Sequence, residues 1–108
     1  MPDNHYTYRV SWSPEDNEHV ATCAEFPSLS WLAADELEAL RGIRRLVTAT
    51  VRDMRAAGEK IPDAIADRRY SGHLTLRVPP ELHRRLVTEA AESGISLNRH
   101  VSHKLAHG

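Results

Sequence analysis

The stretch GHLTLRVPP, residues 72 to 80, decides how the rest of the chain is interpreted. Side chains alternate between the two faces of a strand, so the apolar and polar residues of this stretch separate. One face holds Leu74, Leu76 and Val78, and the other holds His73, Thr75 and Arg77. An outward row of donors can contact base edges in a DNA major groove. The same pattern is equally compatible with a half-solvated strand of an ordinary sheet, so the following residues must decide.

Two helices are predicted after this strand. Pro80 suits the first turn of a helix that runs to about Ser93 and ends at Gly94. A second helix is expected after Ser96, an N-cap candidate, and its apolar stripe is Leu97, Val101 and Leu105. A unit of 38 residues, 71 to 108, has too little interior to be stable alone. We therefore expect a homodimer in which the lone strand pairs with its copy.

The first part of the chain predicts three strands packed under one helix. Alternating residues favour strands over Tyr6–Trp12, His19–Ala24 and Leu29–Ala33. Asp35 is an N-cap candidate for a helix that runs to about Ala57, with Gly58 placed to end it. Residues 59–71 have no long periodic pattern and are expected to be a linker, with a possible short edge strand near Ile65. The predicted chain is thus α+β, with domains at 1–58 and 72–108.

The composition predicts a soluble globular protein. The 108 residues are 41% hydrophobic and 27% charged. We find no apolar run of the roughly 18 residues that a membrane span needs, and the first residues lack a secretory pattern, so a cytoplasmic protein is expected. The lone Cys23 cannot form an internal disulfide and is expected to be a small buried hydrophobe.

Charge is distributed unevenly between the two parts. Residues 1–70 carry 9 Lys+Arg against 12 Asp+Glu, and residues 71–108 carry 5 against 3. Five of the 7 histidines also lie in the second part. An acidic first part and a mildly basic second part fit a protein with two partners, although ordinary surface scatter would look similar.

The second part resembles a ribbon-helix-helix DNA-binding domain. The resemblance lies in Leu74–Pro79, the following helix, Gly94, and Ser96-Leu97-Asn98, and it covers residues 72 to 106. It implies that paired antiparallel strands enter the major groove of operator DNA, with base contacts from His73, Thr75 and Arg77. It also implies that backbone N–H groups at Ser96, Leu97 and Asn98 anchor a phosphate.

The first part resembles the N-terminal domain of HicB antitoxins, which has a partial RNase-H-like fold. The similar segments are Glu25-Phe26-Pro27, Leu29-Ser30-Trp31, the helix, and Gly58–Pro62, with Arg68–Gly72 as the hinge. The resemblance implies a type II toxin-antitoxin protein that neutralises a HicA-like mRNA-cleaving toxin and represses its own operon. It implies no cofactor, and nucleoid association when DNA is bound. The alternative is a stand-alone ribbon-helix-helix regulator whose first domain binds a ligand or mediates oligomerisation beyond the dimer.

Catalysis is not expected, although the RNase H fold suggests a nuclease. Two-metal nuclease chemistry needs converging carboxylates that begin on the first strand. Tyr6–Ser11 contains none. Four acids lie mostly in turns and are interpreted as solvated groups or a surface for a basic partner: Glu15, Asp16, Glu18 and Glu25.

Three further patterns each have a functional and a structural interpretation. His100, His103 and His107 have the spacing of metal ligands on one helix face, but a solvated or dimer-facing stripe is favoured over a metal-responsive repressor. A solvated face is also favoured over nucleic-acid contact for the arginines of the first helix, because acids are interspersed nearby. These are Arg41, Arg44, Arg45, Arg52 and Arg55. Core packing is favoured over base stacking for Tyr8, Trp12 and Trp31.

Overall fold

Three strands and three α-helices follow one another in the computed structural model, which describes residues 5–108. They are β1 (Tyr8–Ser13), β2 (Glu18–Cys23), β3 (Phe26–Ala33), α1 (Glu36–Ala56), α2 (Pro80–Ser93) and α3 (Leu97–His107), with a short 3-10 turn at Ile65–Asp67. The α+β class agrees with the sequence prediction. The chain divides into a first unit, residues 1–70, and a second unit, residues 71–108.

The three strands form one antiparallel sheet in the order β1-β2-β3. The β1–β2 turn contains Asn17 at φ 51°, a left-handed conformation that asparagine tolerates better than most residues. The register between β2 and β3 shifts at Thr22/Cys23. Pro27 therefore lies inside β3 next to an irregularity, where a missing amide donor is tolerated, and the third strand begins earlier than predicted.

Helix α1 begins and ends where the capping residues predict. Asp35 has an extended backbone, and its carboxylate accepts a hydrogen bond from the amide of Glu38. At the other end Gly58 has φ 72°, and the amide of Glu59 donates to the carbonyl of Met54 at 2.9 Å. This hydrogen bond, typical of a Schellman motif, satisfies a carbonyl that has no hydrogen-bond donor within the last turn of the helix.

The core of the first unit lies between α1 and one face of the sheet. Ile43 and Val47 of α1 are fully buried, as are the small residues Ala21 and Ala39. A Cβ atom built on Gly42 would overlap the indole ring of Trp31. The helix thus approaches β3 closely because Gly42 has no side chain, and a bulkier residue there would displace the ring.

The aromatic residues of the first strand do not all enter this core. Tyr6 is buried, and its ring meets that of Phe26 edge-to-face at 5.3 Å. Trp12, which was expected in the core, is 51% exposed and packs only edge-on against His19. This prediction was wrong. Alternation places Trp12 on the same face as the buried residues, but Trp12 lies near the C-terminal end of β1, beyond the part of the sheet that the helix covers.

Residues 61–70 pack onto the first unit rather than forming a free linker. Ala64 is buried and belongs to the core, and Ile61 packs against it. The hydroxyl of Tyr6 donates to the carbonyl of Pro62 at 2.7 Å. Near Ile65, where a short edge strand was possible, the chain forms the 3-10 turn, and the first unit extends to Tyr70.

Candidate functional site

The segment from Gly72 to Pro79 is exposed throughout and contains neither helix nor strand. Gly72 has φ 82°, a conformation that suits glycine, and the amide of His73 donates to the hydroxyl of Ser71. The strand predicted here is therefore not formed within one chain. The physical reason is that a strand is defined by ladder hydrogen bonds, and no other strand of the described second unit lies beside it.

Polar and apolar residues of this segment are exposed alike. The three candidates for base contact, His73, Thr75 and Arg77, all face solvent. Leu74 is 71% exposed and Leu76 is 53% exposed. A leucine gains about 1.5–3 kcal/mol from full burial, so exposure of neighbouring leucines leaves a large stabilisation unused.

The two helices after this segment are joined by a tight, well-capped turn. Gly94 has φ 68°, and the amide of Ile95 donates to the carbonyl of Ala90 at 3.1 Å, which ends α2. The hydroxyl of Ser96 then accepts a hydrogen bond from the amide of Arg99 at 3.1 Å, which starts α3. Both ends agree with the predicted caps.

The start of α3 is the candidate phosphate anchor. Ser96 and Asn98 are exposed, and Leu97 is half-buried. The first amides of a helix have no acceptor within it, and the helix dipole makes this end attractive to anions. Since the Ser96 hydroxyl is already used by Arg99, an anion here would be bound by the amides of Leu97 and Asn98.

The second unit has almost no closed interior. Among its residues, all of which the structure describes, Ala90 alone is buried among the hydrophobic ones. Val87 and Leu105 are exposed, while five others along the helices are half-buried: Leu82, Leu86, Ile95, Leu97 and Val101. The apolar sides of α2 and α3 therefore remain partly open in the single chain.

A polar cluster joins α2 to α3. The Glu89 carboxylate lies 2.9 Å from Nε2 of His100 and 3.2 Å from Nζ of Lys104. The hydrogen bond with His100, followed by that with Lys104, holds the pKa of Glu89 below its ordinary value. One carboxylate of α2 thus contacts two basic side chains of α3.

The same cluster separates the three histidines that have metal-ligand spacing. His100 faces Glu89, whereas the rings of His103 and His107 lie 4.4 Å apart. Within residues 5–108, no group of three or more His, Cys, Asp or Glu side chains is arranged to hold a metal ion. Nothing in the geometry favours the metal-responsive interpretation.

The acids of the first unit have two different roles. Glu15 and Asp16 are exposed in the β1–β2 turn, where the hydroxyl of Ser13 donates to Asp16. Glu25, in contrast, is only 8% exposed. Its carboxylate accepts hydrogen bonds from the amide of Thr7 and the amide of Ile65, both at 2.9 Å. Glu25 therefore does not belong to the surface proposed for a basic partner.

The environment of Glu25 stabilises its charged form. Burial raises the pKa of this carboxyl, but the backbone hydrogen bonds from Ile65 and Thr7 lower it by more, so the pKa lies below the ordinary glutamate value. The buried thiol of Cys23 donates to the same carboxylate, and burial raises the pKa of this thiol. Cys23 is thus protonated near neutral pH, as expected for a buried hydrophobe.

Comparison with known proteins bears on the part of the chain that contains α2 and α3. Residues 56–105 match the model of the HicB family. The match covers slightly less than half of the chain and supports the resemblance to HicB antitoxins. The β-sheet segments that also resemble HicB lie outside it. No curated protein and no solved structure matches the chain.

A helix that crosses a lipid bilayer must be long and predominantly apolar. Within the described residues, no helix combines the length and the apolar character needed to cross a membrane.

Proposed function

We propose that this chain is a HicB-like antitoxin. Its second unit binds operator DNA as a ribbon-helix-helix homodimer and represses the operon, and its first unit neutralises a HicA-like mRNA-cleaving toxin in the cytoplasm. The observation that carries the proposal is the HicB match over residues 56–105, which includes both helices and the segment before them.

Dimerisation supplies what the second unit lacks. Pairing of two copies of residues 72–79 would satisfy the backbone N–H and C=O groups of both segments. It would also bring their leucines into a shared core with the exposed apolar sides of α2 and α3. Leu74, Leu76 and Leu105 are all more than half exposed in one chain. Burying such residues twice in a symmetric interface is the main driving force for association.

The paired strands would present the polar residues to DNA. Alternation places His73, Thr75 and Arg77 on the face opposite the leucines. Arg77 is the strongest candidate for a base contact, because a guanidinium can donate two hydrogen bonds to guanine. The amides at the start of α3 would bind a phosphate and fix the register of the ribbon on the duplex.

Charge supports a basic partner for the first unit. Its 9 basic residues are outnumbered by 12 acidic ones, and Glu15 and Asp16 are exposed together in the β1–β2 turn. A toxin that binds RNA presents a basic face, and an acidic surface covers such a face with complementary potential.

Co-expression tests the toxin interaction. The full chain is produced with the small toxin encoded beside it, and copurification and rescue of growth are measured. We expect both, and we expect Glu15→Lys/Asp16→Lys to weaken copurification, whereas Glu59→Lys/Asp63→Lys, which reverses two exposed acids elsewhere in the unit, does not. Operator binding without copurification or rescue would instead favour the stand-alone regulator.

A further inference from the structure

A stripe of arginines runs along the outer side of α1. At 100° per residue, the five lie within an arc of about 100° and extend over about 21 Å of helix. They are Arg41, Arg44, Arg45, Arg52 and Arg55, and all are exposed. The buried residues Ile43 and Val47 lie on the opposite side.

The exposed positive charge of this arginine stripe is centred on Arg45, Arg52 and Arg55. Glu38 forms an ion pair with Arg41 at 2.9 Å at the N-terminal end. The one acid between residues 41 and 55 is Asp53, whose position falls outside the arc. Of the acids on α1 nearest to the stripe, Glu38 therefore meets it at the N-terminal end and Asp53 lies outside it.

The centre of the stripe forms an open depression. It is lined by Arg44, Arg45, Thr48, Ala49 and Arg52. Arg44 also lies over the ring of Tyr8, with Cζ 5.9 Å from the centroid, which restricts its orientation. Guanidinium groups that lie close together on one helix suit a phosphate, which arginine binds with two parallel hydrogen bonds.

We infer that the arginine stripe binds the phosphodiester backbone of duplex DNA as a second, sequence-independent contact. The concentration of positive charge on one helix of a unit with net negative charge selects a polyanion and repels a basic partner such as the toxin. The choice of duplex DNA as the polyanion rests on the proposed function, because the second unit would bring the chain to DNA.

The test measures affinity of the full chain for a random-sequence duplex over a range of salt concentrations. Arg45→Gln/Arg52→Gln should reduce the slope of log affinity against log salt by about 2 for each copy whose stripe contacts the duplex, since each copy loses two phosphate contacts. The matched control Arg9→Gln/Arg69→Gln removes equal charge from exposed positions of the same unit and should leave the slope unchanged. Arg45→Lys/Arg52→Lys should retain most of the salt slope, because the charge is kept. Circular dichroism checks that each variant is folded.

Several results would overturn the inference. An equal reduction of the salt slope in the control variant would show a general charge effect. An unchanged slope in the stripe variant would exclude contact between the stripe and DNA. The choice of duplex DNA would be contradicted if the stripe variant lost affinity only for a single-stranded RNA probe. It would also be contradicted if poly-glutamate displaced the bound duplex as effectively as competitor DNA does. The proposed function is tested separately, because Arg77→Ala should reduce preference for the operator without changing the contribution of the stripe.

Discussion

The carboxylate of Glu25 accepts a hydrogen bond from the amide of Ile65, 40 residues further along the chain, at 2.9 Å. The other oxygen of the carboxylate accepts from the amide of Thr7. One buried charge thus fastens residues 61–70 to the β2–β3 turn and to the chain before β1. Glu25 therefore joins three separate segments of the first unit.

Glu25→Gln should destabilise the first unit by about 2 kcal/mol, the range for hydrogen bonds to a charged group. An amide would place an NH2 group against backbone donors in a buried site. Urea unfolding followed by tryptophan fluorescence measures this unit, because Trp12 and Trp31 both lie in it. Glu15→Gln, at an exposed turn position, is the control. Equal stabilities of the two variants would contradict the anchoring role.

The buried carboxylate of Glu25 should also make the stability of the first unit depend on pH. The pKa of this carboxyl is lower in the folded chain than the ordinary value of about 4.3, so its stabilisation is complete above that pH. As the pH falls through the lower folded-state pKa, the carboxylate is protonated and the stabilisation is lost. The difference in unfolding free energy between the wild type and Glu25→Gln should therefore shrink below about pH 4.3. A difference that stays constant down to pH 2 would refute this account.

Gly42→Ala should destabilise the first unit by about 1–2 kcal/mol, although alanine is the better helix former by about 1 kcal/mol. The added methyl would overlap the Trp31 ring and force it away from α1. A double-mutant cycle isolates this contact. In a Trp31→Ala background the same substitution should become neutral or stabilising, and a loss of equal size in both backgrounds would show that the ring is not responsible.

Leu76→Asp should convert the dimer to a monomer, because it places a charge in the proposed shared core. Thr75→Asp, one residue away on the opposite face, should leave the dimer intact but abolish DNA binding through repulsion of phosphates. Sedimentation equilibrium gives the mass, and anisotropy gives the DNA affinity. Dissociation by both substitutions, or by neither, would mean that the faces are not divided as alternation predicts.

Local signals in the sequence predicted the helices well. Asp35, Gly58, Gly94 and Ser96 act through hydrogen bonds within a few residues, so their positions alone predict where helices begin and end. The strands were found with ends displaced by at most three residues, because the end of a strand depends on where its partner ends.

Features that depend on distant contacts were missed. The packing of residues 61–70 depends on Glu25, whose only sequence signal is a carboxylate between the buried residues Cys23 and Phe26. The partner of residues 72–79 would be a second chain, so one chain contains no ladder for them. The arginine stripe and the position of Asp53 outside it both follow from the helical period, so both could be predicted together with the helix.

The central claim is that residues 72–80 of a dimer recognise operator DNA, and binding of Arg77→Ala to the operator tests it most directly. Affinity is measured at fixed salt for the operator and for a scrambled duplex, with Arg9→Ala as the control for lost charge. The account predicts a loss of about 5- to 150-fold on the operator, corresponding to about 1–3 kcal/mol, with little change on the scrambled duplex. Wild-type affinity of Arg77→Ala for the operator would contradict it.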